Sequence, residues 1–310
     1  MFERRVAGDP PPWTDDPILT GFKFCNVYRA ADRVSQYMIR DVCHHEEDGC
    51  TPQDRIFQIV AFRTFSRIET WRTVRDHLGR YPALDDLVDG AFTSALDHAA
   101  AGNGGLYTGA FILCANDAYG QGRKHLNHVE LWRHMFLKDD LADQILEAIS
   151  LRQVYELLHG YPLMGDFMSY QTAIDLNYSA LLDFSENDFT QAGPGALRGI
   201  RKCFTDLGDY TPTDVIMWMV EHQASELERL GLPFRGLFGR PLHAIDCQGL
   251  FCETDKYCRE AVPELASARS RIKARFTQNP TPVKLFFPPK WGLNDVVPAM
   301  PVYAEVKLGR

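Results

Sequence analysis

Positive charge is in short supply: 33 Lys and Arg stand against 41 Asp and Glu over 310 residues, a net charge of −8 at pH 7. That excludes an evenly basic coat for nucleic acid, so any such site has to be local. Long apolar runs are missing too. None approaches the ~18 residues of a membrane span, so no membrane partner is expected. The opening MFERRVAGDPPPWTDDP has basic residues with no apolar segment behind them. This predicts no secretory signal and a soluble, intracellular protein, in the cytoplasm of a host cell or in a nucleus. Eight cysteines lie scattered at positions 25, 43, 50, 114, 203, 247, 252 and 258. Such dispersal predicts free thiols in a reducing compartment, with no disulfide framework.

Several catalytic motifs are absent. There is no G-x-x-x-x-G-K-[ST]; GQGRKH at 120–125 places a Lys after two glycines but lacks the full spacing and the hydroxyl that holds magnesium. Neither G-x-S-x-G nor H-E-x-x-H occurs. Cys247, Cys252 and Cys258 are spaced C-x4-C-x5-C, and Cys43, His44, His45 and Cys50 form only a loose group in a loop. No metal site is therefore expected, and the sequence names no cofactor.

What is present is a globular composition, 45% hydrophobic and 24% charged, long enough for one large domain or two small ones. Periodicity predicts a mainly α protein: an extended arm over 1–22, a helical unit over 23–280 and a tail over 281–310. Within the unit the spacing predicts a helix from Asn26 to Asp41 with a basic edge of Arg29, Arg33 and Arg40, and one long helix from Asp54 to Leu78. Further helices are expected over Leu84–Ala101, over Asp140–His159 with Leu141, Ile145 and Ile149 inward, over Met164–Leu182, and from Pro212 to Leu230. A compact Cys-containing segment and a last helix from Pro263 to Phe276 complete the pattern. Phe111–Cys114 is too short to assign.

Four groups of residues carry possible chemistry. In FSENDFTQAGPGALRGIRKCF, Gly193, Pro194 and Gly195 precede a helix expected from Ala196. Glycines let a backbone approach a phosphate, and the following helix start offers unpaired N–H groups. Arg198, Arg201 and Lys202 supply cations with no acid between Phe189 and Thr205, so the segment reads as a DNA-backbone contact or as a plain turn between packed helices. In HAIDCQGLFCETDKYCR, Asp246 sits among apolar neighbours and is either a general base of raised pKa or a helix-capping acid; Lys256 follows closely. Glu69 shares helical spacing with Phe62 and Phe65, beside Arg63 and Arg67, and reads as a functional acid or a buried ion pair. Asp175 falls in a row with Gln171 and Tyr178, as a catalytic or a structural acid.

Taken together, PPPWTDDPIL, FKFCNVYRAADRVSQYMIR, FRTFSRIETW, YQTAIDLNYS, the GPGALRGIRK block and IDCQGLFCETDKYCR resemble the alpha-glutamyl/putrescinyl-thymine pyrophosphorylase family, from about Pro10 to about Phe276. That family overlaps the proteins carrying a 5-hydroxymethyluracil DNA kinase helical domain. The resemblance implies a helix-hairpin-helix DNA glycosylase-like fold that acts on thymine-derived bases in bacteriophage DNA. It assigns the hairpin to Gly193, Pro194 and Gly195 and the superfamily's Asp to Asp246, with Asp214 as the alternative by spacing. The positions where bifunctional glycosylases carry a lysine offer Arg198, Arg201 and Lys202.

The function expected from this resemblance is displacement of a (pyro)phosphate on the methylene of 5-hydroxymethyluracil by an amine, an amino acid or a polyamine. The partners would then be DNA with modified thymine and that amine. Asp246, Glu69 and Asp175 are the candidate catalytic acids. Arg29, Arg33, Arg63, Arg67 and Lys256 are the candidate phosphate ligands, since cationic donors must hold the departing charge. Tyr28, Tyr37, Phe62, Trp71 and Tyr119 are available to stack on an everted base. The alternatives are a 5-hydroxymethyluracil DNA kinase, a non-enzymatic DNA-binding module and a DNA glycosylase.

Overall fold

A computed structural model of the chain describes residues 1–298 except 103, 110–117, 266–270, 273, 278, 280 and 282. The Phe111–Cys114 stretch and residues 299–310 of the expected tail therefore lie outside the described residues. Among those described there is no β-strand, only two isolated bridges, and the chain is all-α. None of its helices is long and apolar enough to cross a membrane. Two bodies divide it: residues 37–189, and residues 1–36 with 190–310.

Among the described residues, the body over 37–189 has six helices of nine residues or more: α1 Pro52–Phe65, α2 Ile68–Leu78, α3 Ala91–Ala101, α4 Lys124–Arg133, α5 Leu151–His159 and α6 Asp166–Asn177. Thr51 opens α1 through a capping box with Asp54 and with Pro52 in the first turn, so the start is set by local chemistry. Inside lies an edge-to-face aromatic cluster of Phe57, Phe65, Phe92 and Trp132, each fully buried. α6 is buried on every side from Met168 to Asn177, polar residues included, which marks it as the central helix of this body.

In the other body α7 Pro194–Cys203, α8 Pro212–Arg229 and α9 Ala244–Ala261 carry the regular structure, and α7 lies along α9. Two glycines one turn apart permit that approach. A Cβ at Gly199 would collide with the Phe251 carbonyl oxygen, and one at Gly195 with the Cys252 sulfur. The expected arm over 1–22 contains two five-residue helices, Phe2–Val6 and Pro17–Gly21, the second capped by the Asp16 carboxylate.

Several helical patterns are broken where the sequence suggested continuity. The 54–78 pattern divides at Ser66, which takes the left-handed conformation (φ 46°) while its hydroxyl donates to the Arg63 carbonyl at 2.7 Å. The 140–159 pattern stops after Leu146 and restarts behind Ser150, whose hydroxyl caps the backbone of Gln153. Ile149, expected inward, is exposed on the turn between, whereas Leu141 and Ile145 are buried. Gly90, at φ 82°, divides the 84–101 pattern. The 26–41 pattern resolves into a 3-10 turn at Arg29–Ala31, a short α-helix at Arg33–Tyr37 and a π-turn at Met38–Cys43.

The largest difference is at the end. The Cys-containing segment is the 18-residue α9, and Pro263–Leu265 is one 3-10 turn in place of the start of a long helix. α9 buries Ala244, Cys247, Gln248, Phe251 and Asp255, a helical spacing concealed because polar residues fill two of the inward positions.

Gly199→Ala is expected to destabilise the protein by about 1–3 kcal/mol or more, because the obstacle is backbone and cannot rotate away. Urea denaturation of the two proteins, read as a shift in midpoint at constant slope, measures it.

Candidate functional site

Asp246 stands at the third position of α9. One carboxylate oxygen accepts from the Arg29 backbone N–H at 2.8 Å and the other from the His243 N–H at 3.1 Å, closing a reciprocal cap with the His243 side chain. The carboxylate is thus both a helix cap and a tie to the Arg29 turn. Burial drives its carboxyl above the ordinary range, against two N–H donors and the Arg240 and Arg29 charges that favour the ionised form.

Around it, His243 is pushed down to about 4, first by burial and then by the nearby Arg240 guanidinium, whose Nη2 lies 3.1 Å from Nδ1. Arg240 in turn lies over the Trp291 ring. Tyr28 is raised by burial and by the Asp246 charge, and its ring stacks on Phe234 at 6.5 Å. Phe234 lines a cavity of about 500 Å³ together with Leu227, Glu228, Arg235 and Gly236. Asp246, Arg240 and this cavity thus belong to one body, with the buried Asp246 outside the residues that line the cavity.

Alongside, Asp255 on α9 is fully buried and meets three cations: Arg198 Nε at 3.0 Å, Lys202 Nζ at 3.0 Å and the Arg259 guanidinium. Burial alone would raise its carboxyl; hydrogen bonds from Arg259, Lys202 and Arg198 hold it below the ordinary value. The basic segment that lacks an acid in sequence thus receives one from α9. Arg201 is exposed on α7, as is Pro194 at its start. Gly193 is the N-cap of α7, which begins at Pro194, two residues before the expected Ala196. Gly195 is explained by contact with Cys252. The preceding helix, α6, ends at Asn177, so residues 178–193 separate the two, a longer link than a helix hairpin has.

The remaining candidates take local partners. Arg33 donates to the Thr281 carbonyl at 2.6 Å, and burial lowers its pKa. Lys256 pairs with Glu253 at 2.6 Å and donates to the Lys23 carbonyl at 3.2 Å. Asp214, the alternative to Asp246, caps α8 through Thr211 and is held below its ordinary range by the Thr211 hydroxyl and N–H. In the 37–189 body Arg63 and Asp175 form a buried ion pair between α1 and α6. Glu69, expected against apolar surface, is 70% exposed, because the break at Ser66 restarts the helix in a new direction. It lies 3.5 Å from Arg67, and both line a cavity of about 200 Å³ with Thr70 and Gly102. Of the stacking candidates, Tyr28, Tyr37, Phe62 and Trp71 are core residues, while Tyr119 is half-buried beside His134.

Arg259, Arg240, His243 and Asp32 are not among the candidates marked in the sequence. The i, i+4 spacing from Asp255 to Arg259 was a usable signal for the first. Asp32 accepts from the Asn26 N–H at 2.8 Å and is raised by burial to about 6; nothing local in the sequence marks it. Among the described residues no group of His, Cys, Asp and Glu is arranged to hold a metal ion.

A family model described as "5-hmdU DNA kinase, helical domain" matches residues 1–267. A curated protein of Bacillus phage SP10, named 5-hmdU DNA kinase, is 28% identical over 275 residues, covering 83% of this chain and 42% of that protein. The chain thus spans less than half the length of that relative. No solved structure gives a significant match.

Arg63→Met is expected to cost about 3–5 kcal/mol in urea denaturation at neutral pH, since it removes one member of a buried pair. A second expectation concerns pH. His243 and His45 are both held near 4, chiefly by burial, below the ordinary value of 6.5. Their contribution to stability is complete above about pH 6.5 and is lost as pH falls through about 4. Urea midpoints should therefore decline between those limits, and His243→Asn should flatten part of the decline.

Proposed function

The chain belongs to the family of 5-hmdU DNA kinase helical domains, and on that premise we propose that it presents 5-hydroxymethyluracil in DNA for phosphorylation of the base's hydroxymethyl group. The observation that carries this reading is the family match over residues 1–267; the kinase name of the phage relative places it ahead of amine displacement. In the proposed reaction the hydroxymethyl oxygen attacks the terminal phosphorus of a nucleoside triphosphate. The oxygen's proton passes to a carboxylate, and the nucleoside diphosphate leaves with the electron pair of the broken P–O bond.

Asp246 is the proton acceptor in this proposal. Its two oxygens take backbone N–H bonds but retain lone pairs for a substrate hydroxyl, and its burial makes protonation accessible. The everted base is assigned to the cavity beside Phe234, at an unstacking cost of a few kcal/mol that ring contact and backbone contacts offset. Pro194 and Arg201, exposed on α7, are the proposed backbone contacts, while Gly193, the N-cap before them, is buried. Asp175 is left to structure by its pairing with Arg63, and Glu69 with Arg67 forms a separate polar cavity that takes no part. The sequence lacks G-x-x-x-x-G-K-[ST], so the proposal requires this chain to hold the donor's phosphates in a nucleotide site of other construction.

The test is to incubate the full chain with DNA containing 5-hydroxymethyluracil, with and without ATP and with a pool of amines, and to weigh the digested nucleosides. The expected product gains one phosphoryl group and depends on ATP. Asp246→Asn should reduce its rate by about 10²–10⁴-fold while DNA binding persists. An amine adduct formed without ATP, release of free base, or binding with no product would each overturn the proposal.

A further inference from the structure

We propose that the α7–α9 contact holds a phosphate site built by Arg198, Lys202 and Arg259 around Asp255. The charge count is the starting point. Three cations surround one carboxylate, so the cluster carries a surplus of two positive charges where side chains are largely out of solvent: Asp255 is 0% exposed, Lys202 5%, Arg259 10% and Arg198 24%. A purely structural ion pair closes at one to one. Surplus sheltered charge is unfavourable unless an anion completes it.

The donors are also left incomplete. Lys202 bonds the Asp255 backbone carbonyl at 3.1 Å and faces Oδ1 at 3.0 Å as an ion pair. Arg198 Nε and an Arg259 terminal nitrogen both converge on Oδ2. Arg259 Nε is buried and donates to no acceptor among the described residues. The neighbouring acids of α9 are occupied: Glu253 pairs with Lys256, and Glu260 accepts from the Ile272 N–H at 3.0 Å. Two guanidinium groups beside an ammonium suit a tetrahedral oxyanion, because each planar fork can offer parallel N–H bonds to two oxygens. Arg198 is the most accessible of the three and gives the way in.

The ligand class is a phosphate, which a DNA backbone and a free phosphate or nucleotide both supply. The site stands apart from the kinase proposal, so losing one leaves the other intact. Titration of the full chain with inorganic phosphate, against chloride at matched ionic strength, should give saturable binding and a rise in melting temperature. Arg259→Lys keeps the charge that pairs with Asp255 but removes the Nε–H, and should weaken phosphate about tenfold with the fold retained. Arg259→Gln should weaken it further, and Asp255→Asn, where it folds, should strengthen it.

A short single-stranded oligonucleotide identifies the source. Competition with phosphate, together with a salt slope about one unit smaller in Arg259→Gln, assigns the site to the DNA backbone. Phosphate binding without that competition assigns it to a free phosphate. No phosphate effect beyond chloride, or equal affinity in all three variants and the native chain, overturns the proposal.

Discussion

The close approach of α7 to α9 is the constraint on which the body of residues 1–36 and 190–310 depends. Gly195 and Gly199 remove the two Cβ atoms that would hold the helices apart, and the Phe251 carbonyl and Cys252 sulfur occupy that space. At this separation Arg198 and Lys202, one turn apart on α7, reach the buried carboxylate of Asp255. α9 also presents Asp246, at its third position, where backbone N–H groups hold it. Packing and electrostatics therefore share one interface. A wider helix separation would take Arg198 and Lys202 from Asp255 and leave it Arg259 alone.

The body over 37–189 meets the same difficulty differently. α6 has no solvent face from Met168 onward, so its Asp175 has to be neutralised internally, and Arg63 from α1 does so. Such a pair adds little net stability over a well-packed apolar substitute, yet loss of one member leaves an expensive charge. Its contribution is to fix the relation of α1 to α6. That accounts for two of the residues that the sequence nominated for chemistry.

Functional chemistry is thereby narrowed. Arg33, Arg63 and Lys256 have local partners, and Glu69 is exposed beside Arg67, so the charged residues do not form one arginine-lined pocket within either body. The proton acceptor in the proposed reading is Asp246, a buried helix cap with His243, Arg240 and Tyr28 near it. A kinase reading asks this chain to position a hydroxyl, take its proton and hold the donor's phosphates in a nucleotide site of other construction.

The sequence by itself determined the all-α class, the family and the starts of α1, α6, α7 and α8 to within about two residues, because caps such as Thr51–Asp54 and Thr211–Asp214 and the 3.6-residue apolar period are local. It also singled out Asp246 and the GPGALRG block. Tertiary structure alone decided where helices break and what the polar residues do. Ser66 turns left-handed because its hydroxyl and Arg63 satisfy the helix end, and α9 buries Gln248 and Asp255 at positions that an apolar pattern would skip. Whether an arginine is a phosphate ligand or a neutralised structural cation depends on which carboxylate lies beside it. For Arg63 and for Arg198 that acid comes from 112 and 57 residues further along the chain. No local pattern encodes such a distance, since the charge is fixed by packing of helices remote in sequence.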